Sequence, residues 1–185
     1  CENIKSITGP NSMSLAQKPL INIKNAIRLG RFKVYFQPKV HMGNGSLLGV
    51  EALVRGIDEA GNIIPPDRFI KELEKTGDIR ELDLYVLDRT LAQMDTWRQA
   101  GLKPVRVSVN FSRITLFDPT ALASVLAIQS HYPLLSPNLL ELEITEHGIN
   151  VECSSLSSVM ESFREFGISF ALDDFGSAYS NISIF

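Results

Sequence analysis

From residue 47 onward the chain alternates short β-branched segments with helical ones. LLGVEALVR (47–55), VRVSVNF (105–111), LLELEIT (139–145) and ISFALDDFG (168–176) each read as a strand, the last running into its turn. Helices fill the intervals. Pro65-Pro66-Asp67 opens one that contains Phe69, Ile70 and Leu73 and is closed by Gly77. A longer one is expected over about 79–100, with Leu82, Val86, Leu87, Leu91, Met94 and Trp97 as its apolar stripe and Gly101 just past its end. A short helix over 119–130 follows Asp118-Pro119. Another over 154–166 turns Leu156, Val159, Met160, Phe163 and Phe166 inward and stops at Gly167. Strands joined by helical crossovers run parallel. An open doubly wound sheet and a TIM-like barrel both fit that order. No glycine-rich turn follows the first strand of the series, which weakens the nucleotide-binding open sheet. A barrel takes roughly 200–250 residues. With five strands by residue 174, this one is expected to be incomplete, two or three strands short.

Upstream, FKVYFQPKV (32–40) alternates, with Val34 and Phe36 on one face and Lys33, Tyr35 and Gln37 on the other. Gly43-Asn44-Gly45 is a turn, so segments 32–40 and 47–55 form a hairpin. Residues 19–30 carry Leu20, Ile23, Ile27 and Leu29 near helical spacing between Pro19 and Gly30. Residues 1–18 are polar, contain Gly9-Pro10, and read as a linker or tail, leaving 19–185 as one domain. The net charge of −3 creates no basic field that would draw nucleic acid or an anionic membrane. No run of about 18 apolar residues is present to span a bilayer. Cys1 and Cys153, without a CxxC spacing or histidine partners, read as free thiols of a reducing cytosol.

The polar residues at the strand ends carry the chemistry. Glu51 lies in the segment 47–55 and Asn110 ends the strand over 105–111. Glu143 faces away from Leu142 and Ile144, and Asp173-Asp174 end the strand that begins at residue 168. In a parallel barrel the C-terminal strand ends form the catalytic face, where inward side chains converge. Four carboxylates and an amide oxygen make a hard donor set, suited to Mg²⁺ or Mn²⁺ rather than zinc. Adjacent aspartates allow one carboxylate to bridge two ions, a device for phosphodiester hydrolysis. Each residue also has an ordinary reading as a solvated strand face or a turn former. What favours chemistry is the repetition of polar groups at successive strand ends within apolar segments.

The series YFQP (35–38), GVEALVR (49–55), PPDRFI (65–70), VSVNFS (107–112), LELEITE (140–146) and LDDFGSAYS (172–180) resembles, in order and spacing, the motif set of EAL domains over about residues 20–185. The resemblance implies a TIM-like barrel whose first strand is antiparallel to the rest, and hydrolysis of cyclic-di-GMP to linear pGpG with two Mg²⁺ or Mn²⁺ ions. It implies that Glu51, Asn110, Glu143 and Asp173 hold one ion and that Asp173 and Asp174 hold the other. Gln37, Leu53 and Arg55 would contact the substrate, the Arg55 fork being suited to a phosphate oxygen. Glu146 would fasten the loop after Asp174 and keep the aspartates aligned. That loop and the helix after it would also form a homodimer interface. The resemblance further implies a bacterial cytoplasmic setting. The parent protein would carry an upstream sensor, receiver or diguanylate cyclase domain, and membrane tethering of such a parent is compatible with this chain.

The chain departs from the family pattern at Ala178, where a second glycine is usual, and at Asn181, where a second serine is usual. His147 and Phe111 are minor variants. The family's Lys near the attacking water, a Glu for the second ion and a late Gln belong to segments beyond residue 185. Glu51, Glu143 and the Asp173-Asp174 pair are all retained, which favours the enzyme. The alternative is a catalytically inactive domain serving as a cyclic-di-GMP receptor or a protein-interaction module.

Overall fold

In the computed structural model, residues 22–145 and 153–173 are described. The polar tail, Glu146, Asp174, Ala178, Asn181 and the expected dimer segment lie outside them. Helix α1 spans Ile23–Arg28, with the Asn22 side chain accepting the Asn25 N–H at its start. The strands β1 (Phe32–Val40) and β2 (Leu47–Ile57) follow, then a two-residue strand β3 (Ile63–Ile64). Next come α2 (Ile70–Thr76), α3 (Ile79–Gln99) and β4 (Arg106–Asn110). The short helix α4 (Arg113–Leu116) leads into α5 (Ala121–Ser130), β5 (Leu140–Thr145), α6 (Cys153–Arg164) and β6 (Ser169–Asp173).

Among the described residues these strands form one sheet in the order β1-β2-β4-β5-β6, with β3 paired to β2. β1 and β2 are antiparallel, as the hairpin reading required, whereas β2-β4, β4-β5 and β5-β6 are parallel. This is the mixed α/β sheet of a TIM-like barrel with its first strand reversed.

The register segregates the two faces. Val50 lies beside Val107, Ala52 beside Val109, Val107 beside Leu140 and Leu142 beside Phe170. Leu142, Ile144, Val107 and Val109 are fully buried on this face. α3 lies across it, burying Leu82, Val86, Leu87, Leu91 and Met94 at helical spacing. The Phe36 and Trp97 rings meet edge to face at 4.9 Å, and Phe163 of α6 meets Phe170 of β6 at 5.7 Å. Each Leu, Val or Phe so covered contributes roughly 1.5–3 kcal/mol, so this layer carries the stability.

On the opposite face Glu51 lies beside Ser108, Ser108 beside Glu141, and Asn110 beside Glu143. Because side chains alternate with a period of two, the register that aligns the apolar residues also aligns these polar ones. Gly49 belongs to the same row. A Cβ there would come within 2.7 Å of the Arg106 carbonyl oxygen, so the close approach of β2 to β4 needs glycine.

Two expectations are corrected. Leu29 is exposed, because α1 ends at Arg28 and Ala26 takes the buried position instead. Phe166 is exposed rather than inward, because α6 stops at Arg164 and the chain turns at Gly167, φ 83°. The helix expected over 119–130 forms as α5, and a further short helix, α4, precedes it.

Candidate active site

Glu51 stands at the middle of β2 and Asn110 ends β4. The Asn110 Nδ2 donates to Glu51 Oε1 at 3.0 Å, which joins the first two expected ligands across neighbouring strands. Glu143 follows on β5, opposite Asn110 in register, with its side chain 8% exposed. Asp173 is the last residue of β6, paired with Thr145, and is described in its backbone only. The four positions therefore fall on consecutive parallel strands, Asn110 and Glu143 level with each other, Glu51 two register positions before them and Asp173 two after. Among the described residues no three carboxylate, imidazole or thiol side chains converge closely enough to hold a metal by themselves.

Glu51, Leu53, Arg55 and Asn110 share a cavity of about 320 Å³, bounded by Pro66, Ile70 and Phe111. The Arg55 guanidinium donates to the Val54 carbonyl at 2.8 Å, and the side chain is half-buried. Gln37 is exposed on β1, opposite Glu51 in the antiparallel pair. The structure thus gathers three expected substrate or metal residues with Leu53 in one hollow, with Gln37 and Glu143 on the strands flanking it. Glu146 and Asp174 lie outside the described residues.

Two features of the site went unread in the sequence. Asp83 is buried in the apolar stripe of α3, and its Oδ2 accepts the Ser112 N–H at 3.0 Å and the Thr115 hydroxyl at 2.6 Å. Ser112 in turn caps α4, accepting the Thr115 N–H at 3.0 Å. One carboxylate on the long helix therefore fastens the turn that follows Asn110. Burial pushes the Asp83 carboxyl up to about 6, against hydrogen bonds from Thr115 and Ser112 that favour its ionised form. The available signal was a carboxylate next to Leu82 and three residues before Val86, inside an otherwise apolar stripe.

The second feature is Lys39, which continues the Tyr35-Gln37 alternation of β1. Its ammonium forms an ion pair with Glu143 Oε1 and donates to Ser108 Oγ at 3.0 Å. Ser108 donates onward to Glu141 Oε1 at 2.9 Å, and Glu141 pairs with Arg106 at 3.4 Å. A charged network thus lies on the polar face beside Glu51 and Glu143.

The chain matches the EAL domain family over residues 22–185. It belongs to that family. Among curated relatives it is 33% identical over 150 residues to cyclic di-GMP phosphodiesterase PA2567 of Pseudomonas aeruginosa, covering 81% of this chain and 25% of the relative. It is 31% identical over 164 residues to the bifunctional diguanylate cyclase/cyclic di-GMP phosphodiesterase MucR of the same organism, covering 88% of this chain and 24% of MucR. The chain therefore spans about a quarter of the length of these relatives. Among solved structures, the MucR phosphodiesterase in complex with c-di-GMP superposes with a TM-score of 0.80 at 30% identity, covering 89% of this chain and 66% of that one. The FimX EAL domain of Xanthomonas citri, at 18% identity and a TM-score of 0.73, shows the same fold. Among the described residues no helix is long and apolar enough to cross a membrane.

Proposed function

We propose that this EAL domain is a phosphodiesterase that hydrolyses cyclic-di-GMP to linear pGpG with two divalent cations, Mg²⁺ or Mn²⁺. The observation that carries the reading is the placement of Glu51, Asn110 and Glu143 on adjacent strands, beside a hollow lined by Arg55 and Leu53. The names of the relatives point the same way. The donor set fits such ions. It consists of oxygen ligands, and one of them, Glu143, already seats a cationic group in the ammonium of Lys39.

Glu51, Asn110, Glu143 and Asp173 would hold the first ion, and Asp173 with Asp174 the second. When bound, the ions would supply activated water and charge stabilisation at the attacking and leaving oxygens. The protein's own contribution is orientation. Arg55 presents a fork to a substrate phosphate, Leu53 and Gln37 flank the nucleotide, and Asp83 holds the turn after Asn110 in place. Glu146 would fasten the loop after Asp174. A homodimer through that loop and the following helix, and an upstream sensor, receiver or diguanylate cyclase domain in a cytoplasmic parent, belong to the same reading.

The test is chromatographic. The full-length protein is incubated with cyclic-di-GMP and Mn²⁺, with and without EDTA, beside Glu51→Gln. Release of pGpG that EDTA and the substitution both abolish is the expected result. Tight nucleotide binding with no pGpG would replace the enzyme by a receptor.

A further inference from the structure

The network around Lys39 goes beyond the ligand set. Lys39 lies on the antiparallel strand β1, opposite Gly49, two residues past Gln37. The missing side chain at Gly49 leaves room over β2 for the Lys39 side chain, whose ammonium reaches across to Ser108 on β4 and Glu143 on β5. Its two contacts differ in kind. Glu143 is a nearly buried carboxylate that the proposed first ion needs. Ser108 is a fully buried hydroxyl that already points its proton at a second carboxylate, Glu141. Glu141 has its own partner in Arg106 and lies two register positions before Glu143 on the same face. The lysine therefore stands between two acceptors, one required for metal and one not.

Resting on the metal-dependent reading above, we propose that Lys39 is an internal counter-ion that occupies Glu143 in the metal-free protein. It yields that carboxylate to the first divalent cation and shifts toward Ser108 and Glu141. A carboxylate this buried is costly to leave unpaired, and the ammonium removes that cost while metal is away. A divalent cation and an ammonium cannot share one buried carboxylate oxygen without strong repulsion, so each must weaken the other's hold. Ser108 and the somewhat more exposed Glu141 give the displaced ammonium hydrogen-bonding partners on the same face, so the exchange does not strand a charge. Lys39 acts here as a positioning residue. It sets how readily the site loads and takes no part in bond breaking.

The experiment measures Mn²⁺ binding to the full-length protein by electron paramagnetic resonance, without nucleotide. Lys39→Met removes the competitor and is expected to tighten Mn²⁺ binding about two- to fivefold, the worth of one partly exposed ion pair. Lys39→Arg retains the charge and is expected to stay close to the wild type. Unchanged or weaker Mn²⁺ binding in a folded Lys39→Met protein overturns the proposal. Should that variant not fold, a crystal structure of the wild type saturated with Mn²⁺ decides. An ammonium near Glu141 supports the exchange, and one still on Glu143 refutes it. A wild type that binds no Mn²⁺ at all sinks the metal-dependent reading together with this one. Equal binding by wild type and Lys39→Met sinks only the role of Lys39.

Discussion

Replacing Asp83 by Asn separates the electrostatic cost of this buried carboxylate from its hydrogen bonds. Its carboxyl titrates at about 6 when folded, against 3.8 for an exposed aspartate, because burial disfavours the charge more than Ser112 and Thr115 favour it. The folded state therefore binds the proton more tightly than the unfolded one. Stability must rise as pH falls through about 6, and the gain must stop once pH drops below 3.8. At ~1.4 kcal/mol per tenfold change in proton affinity the full gain is on the order of 3 kcal/mol. Roughly 1 kcal/mol of it falls between pH 7 and pH 5. Asp58, Asp95 and Asp118 are held below the usual carboxylate range by hydrogen bonds from Asn62, Arg98 and Thr120 respectively, so their losses set in below about pH 5 and leave this window clear. The assay is urea unfolding of wild type and Asp83→Asn at pH 7 and pH 5, with the wild-type pH increment compared with that of the variant. The subtraction cancels groups common to both proteins. The increment should be present in the wild type and absent in Asp83→Asn. An equal increment in both proteins would refute the assignment of the cost to Asp83.

The remaining predictions concern the site and its frame. Asp83→Ala leaves the Ser112 N–H and the Thr115 hydroxyl without their acceptor. It should cost about 1–3 kcal/mol in urea unfolding, and it should lower pGpG formation by loosening the turn after Asn110. Gly49→Ala drives a Cβ into the Arg106 carbonyl and should destabilise by about 1–3 kcal/mol, read as a lower unfolding midpoint. Arg55→Ala should reduce kcat/KM for cyclic-di-GMP roughly 10–100-fold, the worth of a charged hydrogen bond to phosphate, with the unfolding midpoint unchanged.

The fold was legible because the two faces of the sheet differ so sharply in polarity. Alternation in FKVYFQPKV and LLELEIT gives strands with a wet and a dry side, and Gly77, Gly101 and Gly167 mark helix ends that the structure realises at φ 79°, 74° and 83°. Positions defined by one strand's period, such as Glu51 and Glu143, were readable for the same reason. Contacts made across elements were not. Lys39 and Glu143 are 104 residues apart in sequence, and Asp83 reaches Ser112 from another helix. No local period encodes either meeting. Leu29 and Phe166 misled because helical spacing says nothing of where a helix stops. Their helices end at Arg28 and Arg164, and the last apolar residue of each pattern turns outward.

That polarity split also determines which substitutions are safe for probing function. Leu142 and Glu143 are neighbours on β5 and both are buried, yet they answer to different layers. Leu142 belongs to the dry face, beside Val109 and Phe170, where removing a side chain opens a cavity and costs several kcal/mol, about 2–5 by comparison with other cores. Glu143 belongs to the wet face, where its carboxylate is balanced by Lys39 and the surrounding groups are polar. Exchanging it for Gln keeps the shape and the hydrogen-bonding capacity but removes the charge that holds cations. Lys39 retains Ser108, and through it Glu141, as partners. Stability therefore rests on one face of β5 and the proposed ion ligand on the other, and their separation by a period of two allows Glu143 to be changed without unfolding the strand that carries it.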